Sequence, residues 1–244
     1  MSRGFRVFIG LALLGVGLIY GFGLGRYEWP PMKQIMAARG VSMLPPVSAR
    51  DRLSIESRRA FLRKLPNIHA DIVLLGDSIT QDGGDWGEAF PGFSVRNRGV
   101  GWDTTLDVLD RLPDALAGKP KLVFLMIGIN DIRVAHRTAE ETAESVKSIL
   151  RGIKDSGATP ISESTLLPAD FIKEALTIQE VRKLNILVAE WCRNNGIEFL
   201  DMNNVLAPQG YLDEEITTDG IHLNFDGYSR WQSINKTVIQ AKRL

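Results

Sequence analysis

Cysteine is almost absent from this chain: its 244 residues include one, Cys192. No disulfide can form within it, and no Cys/His pattern has zinc-ligand spacing. Charge of a single dominant sign is also missing, since 29 Lys and Arg balance 29 Asp and Glu. That balance removes the one-sided basic field with which nucleic-acid binders displace counterions, so a nucleic-acid partner is not expected. Internal repeats and low-complexity tracts are lacking as well. What remains is the composition of an ordinary globular protein, 44% hydrophobic and 24% charged, long enough for one well-buried domain and an appendage.

Charge is missing in one place that matters. From Val7 to Gly25 the run VFIGLALLGVGLIYGFGLG carries none, over about the 20 residues a helix needs to cross the hydrocarbon layer. Residues 1–25 therefore read as an N-terminal transmembrane anchor. Arg3 and Arg6 before the run, against Arg26, Glu28 and Lys33 after it, favour a cytoplasmic N-terminus and export of the rest to the periplasm or exterior. A cleaved signal peptide is the alternative. No small-x-small site ends the run, and Tyr27 and Trp29 suit an interfacial aromatic belt, which favours the uncleaved anchor.

Pro30, Pro31, Pro45 and Pro46 mark residues 26–50 as a spacer. The folded domain is expected over 51–244. An amphipathic helical pattern opens it, and then strands and helices alternate. Strands are expected at 71–76, 94–97, 121–128, 159–165 and 197–202, with helices at roughly 104–118, 138–156, 172–195 and 225–243. Segments such as LVFLMIG are continuously apolar, as when helices cover both faces of a parallel sheet. The expected fold is an α/β/α sandwich, in which ligands bind beyond the carboxyl ends of the strands.

The residues just past those ends carry the candidate chemistry. Ser78, in GDSIT, stands where the chain leaves the first strand, and reads either as an exposed nucleophile or as a helix N-cap. It is not the G-x-S-x-G elbow of another hydrolase class. Of the three histidines, His69 precedes the first strand and His136 lies in a polar helix start. His222 has Asp219 three residues before it, a spacing that puts both side chains on one face of a turn. The pair can orient an imidazole as a base, or belong to a loop whose Asp and Asn cap neighbouring helices. Asn130, after the third strand, is a turn residue or a neutral oxyanion donor. NRGVGWDTT, at 97–105, begins like a phosphate loop but lacks the third glycine and the ribose-binding acid of a dinucleotide fingerprint.

Taken together these blocks resemble the SGNH hydrolase family, also called GDSL-like esterases and lipases. GDSIT (76–80) is similar to its nucleophile block, GIND (128–131) to its asparagine block, DGIHLN (219–224) to its Asp/His block, and NRGVGWDTT falls where its glycine block stands. The resemblance spans roughly residues 70–240 and implies a flavodoxin-like fold with a five-stranded parallel sheet. It implies Ser78 as nucleophile, His222 as base and Asp219 as its orienter, with Ser78, Trp102 and Asn130 as oxyanion donors. Trp102 is a departure, because it occupies the oxyanion glycine's position; its N–H is retained, while a positive φ there would strain it. Gly101 before it either absorbs the awkward conformation or turns its own N–H inward.

Asp77, Gly101 and Asp131, in the same blocks, are candidate substrate contacts. No metal or cofactor is expected. The implied reaction is hydrolysis of O-acyl esters, short acyl groups such as acetyl, on a small molecule or an envelope glycan. A lysophospholipase or other lipid esterase, an O-acyltransferase and a non-catalytic envelope binding module are the alternatives. Trp86 and the STLLP segment at 164–168 are assigned to core packing ahead of a substrate groove; Glu163 either faces the site or pairs with a neighbouring base.

Overall fold

The computed structural model describes residues 47–65 and 69–242. Five strands, β1 (Ile72–Gly76), β2 (Val95–Gly99), β3 (Leu122–Met126), β4 (Thr159–Glu163) and β5 (Glu198–Leu200), form one sheet in the order β2-β1-β3-β4-β5, every pairing parallel. All five residues of β1 and of β3 are buried. Burial on both faces is what their unbroken apolar runs require, and it accounts for the three-layer arrangement. Because every strand points the same way, every carboxyl end opens on one edge, with the β1 loop between those of β2 and β3.

Nine α-helices are present among the described residues: α1 (Ala49–Arg63), α2 (Ser78–Asp82), α3 (Thr105–Asp110), α4 (Leu112–Leu116), α5 (Ile129–Arg133), α6 (Ala139–Asp155), α7 (Ala175–Asn195), α8 (Asn203–Leu206) and α9 (Phe225–Lys242). Helix α1 begins two residues ahead of the expected domain start, where the Ser48 side chain accepts the Asp51 N–H. The single helix expected over 104–118 is two, because Pro113 follows Arg111 and Leu112 and cannot continue the hydrogen-bond ladder of α3. Helix α7 starts at Ala175; a 3-10 turn at Asp170–Ile172 takes the residues just before it. The second strand runs on to Gly99. Among the described residues no helix is long and apolar enough to cross a membrane; the anchor expected at residues 1–25 lies outside them.

The core under the sheet edge is aromatic. Trp86, 1% exposed, meets Trp231 edge-on with centroids 5.0 Å apart, and stacks on Phe90 at 6.1 Å. STLLP is buried throughout, so neither it nor Trp86 lines a groove. Glu163 neither faces the site nor pairs with a base: it is buried, and Trp231 Nε1 donates to its Oε1 at 2.6 Å. Burial pushes this carboxyl up from 4.5 to about 7, against the pull of the Trp231 N–H.

A folded-state pKa raised this way weakens the fold as pH rises from about 4.5 through about 7, because the native state then holds a proton that the unfolded chain has released. Glu163→Gln keeps an oxygen for the indole and removes the titration. Its gain in thermal stability over the parent is expected to be larger at pH 8 than at pH 5, by at most on the order of 3 kcal/mol. Melts of both proteins at both pH values check this; equal gains at the two would place the pH dependence elsewhere.

Candidate active site

The end of β1 feeds directly into the five-residue helix α2, with Asp77 at its N-cap and Ser78 as its first residue. Asp77 is 1% exposed and its Oδ1 accepts the Ile79 N–H at 3.0 Å. Burial pushes the Asp77 carboxyl up to about 7, opposed by that N–H. Asp77 therefore caps the helix from inside, and its assignment as a substrate contact is corrected. Helix α2 lies hard against the sheet. A Cβ on Gly99 would stand 2.2 Å from Gln81 N, and one on Gly76 2.2 Å from Met126 O, so neither position has room for a side chain. Tyr228 Oη donates to Ile79 O at 2.8 Å from the other side.

The loop before α9 brings the base. Asp219 Oδ1 accepts the N–H groups of Ile221 and His222, at 3.0 and 2.8 Å, while its Oδ2 faces His222 Nδ1 at 2.7 Å. An ionised carboxylate only accepts, so Nδ1 carries the imidazole proton and Nε2 is left as an acceptor. Ser78 Oγ lies 2.9 Å from that Nε2, across 144 residues of sequence. Burial raises the Asp219 carboxyl, but the His222 and Ile221 groups outweigh it and hold the carboxyl below its ordinary value. The geometry is that of a hydroxyl aligned for deprotonation by an oriented imidazole.

The glycine-block loop forms the next wall. Asn97 Nδ2 reaches Thr80 O, Gln81 O and Gly84 O at 2.9, 3.0 and 3.1 Å, and Asn97 Oδ1 accepts Gly99 N–H at 2.9 Å. The Asn97 side chain thus satisfies the last carbonyls of α2. Beyond it the Asp103 N–H donates to Val100 O at 3.2 Å, closing a turn around Gly101 and Trp102. Trp102 takes φ +66°, at the turn position that normally selects glycine. Gly101 N–H is committed to Gln81 Oε1 at 3.0 Å, and a Cβ on Gly101 would stand 3.8 Å from Ser78 Cβ. Gly101 flanks the serine and is no donor to a ligand. The N–H groups of Ser78 and Trp102 donate to no group among the described residues.

Asn130, 8% exposed, sits in α5 after β3 and donates one amide hydrogen to Asp103 O at 3.0 Å, which leaves the second. Its neighbour Asp131 is fully buried. The Asp131 carboxylate accepts Thr105 N–H and Oγ1–H at 2.8 and 2.6 Å and Arg137 at 2.5 Å. It fastens the β3 loop to the start of α3, and its assignment as a substrate contact is also corrected. Asp103 in turn takes Arg59 and Arg111, and Arg111 also donates to Gly76 O at 3.0 Å.

Ser78, His222 and Asp219 are thus hydrogen-bonded in one chain, Gly101 beside Trp102 lies against Ser78, Asn130 is tied to Asp103 next to Trp102, and Asp77 and Asp131 are buried. Gln81 and Tyr228, which hold the loop and the helix, carry no sequence signal; a lone Gln or Tyr becomes legible only through its partner. Among the described residues no group of three His, Cys, Asp or Glu side chains is placed to hold a metal ion.

The sequence pattern of the GDSL-like Lipase/Acylhydrolase family matches residues 74–230. The chain is 25% identical over 170 residues to N-acylneuraminate cytidylyltransferase of Streptococcus agalactiae, covering 70% of this chain and 39% of that protein. It therefore spans about two fifths of the length of those relatives. It is 26% identical over 167 residues to platelet-activating factor acetylhydrolase IB subunit alpha2 of Homo sapiens, covering 66% of this chain and 72% of that protein. A GDSL-like lipase from Bacteroides thetaiotaomicron shares the fold, with a TM-score of 0.64 at 22% identity over 80% of this chain and 98% of that one.

A side chain held at φ +66° costs about 1–2 kcal/mol relative to glycine. Trp102→Gly and Trp102→Ala both delete the indole and differ chiefly in that term. The glycine variant is expected to be the more stable of the two by about 1 kcal/mol, as denaturant titration would measure. An alanine variant of equal or greater stability would show that the turn relaxes out of the left-handed region.

Proposed function

The chain belongs to the GDSL-like lipase/acylhydrolase family, and on that premise we propose that it is a serine esterase hydrolysing short-chain O-acyl esters through an acyl-enzyme. The observation that carries this reading is the continuous hydrogen-bonded path from Ser78 Oγ through His222 to Asp219 Oδ2, at 2.9 and 2.7 Å. Ser78 Oγ attacks the ester carbonyl as His222 Nε2 takes its proton, and Asp219 stabilises the imidazolium that forms. The N–H groups of Ser78 and Trp102 and the free Asn130 amide hydrogen hold the oxyanion. The leaving alcohol receives the proton from His222. Water, deprotonated by the same imidazole, then releases the acid.

The acetyl in the name of the acetylhydrolase relative supports a short acyl group. The apolar run at residues 7–25 supports a membrane-tethered enzyme whose domain faces away from the cytoplasm, with envelope carbohydrate as the ester's carrier. The nucleotidyl transfer in the cytidylyltransferase name is not carried over, because the chain spans only 39% of that protein and the loop lacks the third glycine of a dinucleotide fingerprint.

The test is hydrolysis of 4-nitrophenyl esters of increasing chain length by the detergent-solubilised full chain. Acetate is expected to be turned over and longer esters less well. Ser78→Ala should lower kcat by at least about 10⁴-fold, with little change in melting temperature. Asn130→Ala should lower it on the order of 10²–10³-fold, the scale for one preorganised oxyanion donor. Persistent activity without the Ser78 hydroxyl would sink the nucleophile assignment; unchanged turnover without the amide would remove Asn130 from the site.

A further inference from the structure

Two aromatic residues, on turns that adjoin Ser78 and the loop of its base, carry side chains with no place in the mechanism above. Trp102 is half-buried, yet among the described residues it makes no hydrogen bond or ring contact and stands apart from the hydrophobic core that takes Trp86, Trp191 and Trp231. A bulky side chain is thus kept at φ +66°, on a turn whose Gly101 flanks Ser78, without contributing to that core. Phe171 is 48% exposed and belongs to the 3-10 turn after β4. That turn is docked on the base's loop. Ala169 N–H donates to Gly220 O at 2.8 Å, and Ile172 and the Phe171 ring together fill the place of a Gly220 side chain, Ile172 Cγ1 2.6 Å and Phe171 Cζ 2.8 Å from where that Cβ would lie. Gly220, at φ +87°, has neither the space nor the backbone conformation for one.

The sheet order puts these two aromatics on opposite sides of the nucleophile. Trp102 follows β2, Ser78 follows β1 and Phe171 follows β4, in a sheet ordered β2-β1-β3-β4-β5. The chemistry then tells the sides apart. The leaving alcohol must lie within reach of His222 Nε2, so it lies along the loop that Phe171 covers; the acyl group is directed to the other side, toward Trp102. Resting on the serine-esterase reading, we propose that Trp102 and Phe171 divide the substrate cleft, the indole closing the acyl side to all but short chains and the phenyl ring seating a ring-bearing alcohol, aryl or pyranosyl. An indole limits acyl length by occupying the volume that further methylenes would fill. An aromatic face favours a flat or ring-shaped group over an acyclic one.

The test uses ratios of kcat/KM within each variant, so that any loss of absolute rate from the oxyanion turn cancels. The full chain and its Trp102→Ala, Trp102→Gly, Phe171→Ala and Phe171→Tyr forms are assayed on 4-nitrophenyl acetate and butyrate, and on phenyl acetate and 2,2,2-trifluoroethyl acetate. Both Trp102 variants are expected to raise the butyrate-to-acetate ratio about tenfold and to leave the phenyl-to-trifluoroethyl ratio in place. Phe171→Ala should lower the phenyl-to-trifluoroethyl ratio three- to tenfold without altering chain-length preference, and Phe171→Tyr should restore it. Phe171→Leu, which keeps apolar bulk over Gly220 but no flat face, should behave as the alanine form does. If it behaves as the parent, Phe171 only supports the loop and its half of the proposal fails. Ratios that do not move, or that move with the residues exchanged, overturn the division of the cleft. Failure of the parent to hydrolyse any of the four esters would instead overturn the esterase reading.

Discussion

One buried guanidinium ties together the two loops on which the site depends. Arg111 donates from Nε to Asp103 Oδ2 at 2.6 Å and from a terminal nitrogen to Gly76 O at 3.0 Å. Gly76 is the last residue of β1, two before Ser78, and Asp103 directly follows Trp102. Neither ion would be tolerable here alone, since an unpaired charge out of water costs several kcal/mol; Asp103 is fully buried and takes Arg59 as well. The network stabilises the fold only modestly against an apolar alternative of the same shape. What it supplies is position, because the charges are satisfied only when the β1 and β2 loops sit at one relative height.

The β3 loop is joined to the same frame from the other side. Asp131 receives the first N–H of α3 and the Thr105 hydroxyl, and Asn130 donates to Asp103 O. Since β1 lies between β2 and β3, these bonds close a clasp across Ser78. The five-residue helix below is too short to hold itself in water. Its order comes from Asp77 at one end, Asn97 at the other, and the crowding of Gly99 against its backbone and of Gly76 against its Thr80 side chain. A turn so constrained on both flanks can hold Trp102 in a left-handed conformation that an isolated peptide would leave.

How much of this was legible depends on whether the signal was local. The central strands β1 and β3 were, because a strand buried on both faces is an apolar run and needs no partner to be recognised. The Asp219–His222 pair was legible too, since three residues of spacing already fix a shared face. Ser78 and His222 are joined across 144 residues, and only the resemblance to a family placed them together. The short helices α2 and α5 were not legible, as five residues hold less than two turns and show no period. Asp77 and Asp131 were misassigned for a related reason: an acidic residue beside a candidate nucleophile or donor looks like a ligand contact until burial shows it satisfied from within. Glu163 became intelligible only through Trp231, 68 positions away.

The exposure of Asp219 bears on what that carboxylate contributes. Its side chain is 53% exposed and that of His222 32%, so solvent screens their attraction in the free protein. Its three hydrogen bonds are geometric instead. One oxygen folds the loop through two backbone N–H groups and the other sets the imidazole tautomer, so the same carboxylate that shapes the turn points Nε2 at Ser78. On the proposed mechanism, screening weakens once an ester fills the space above the serine and displaces water, and the ion pair that would form on proton transfer then gains in strength. The arrangement is most favourable when charge has developed and the site is occupied, which is the condition for stabilising a transition state over the resting protein.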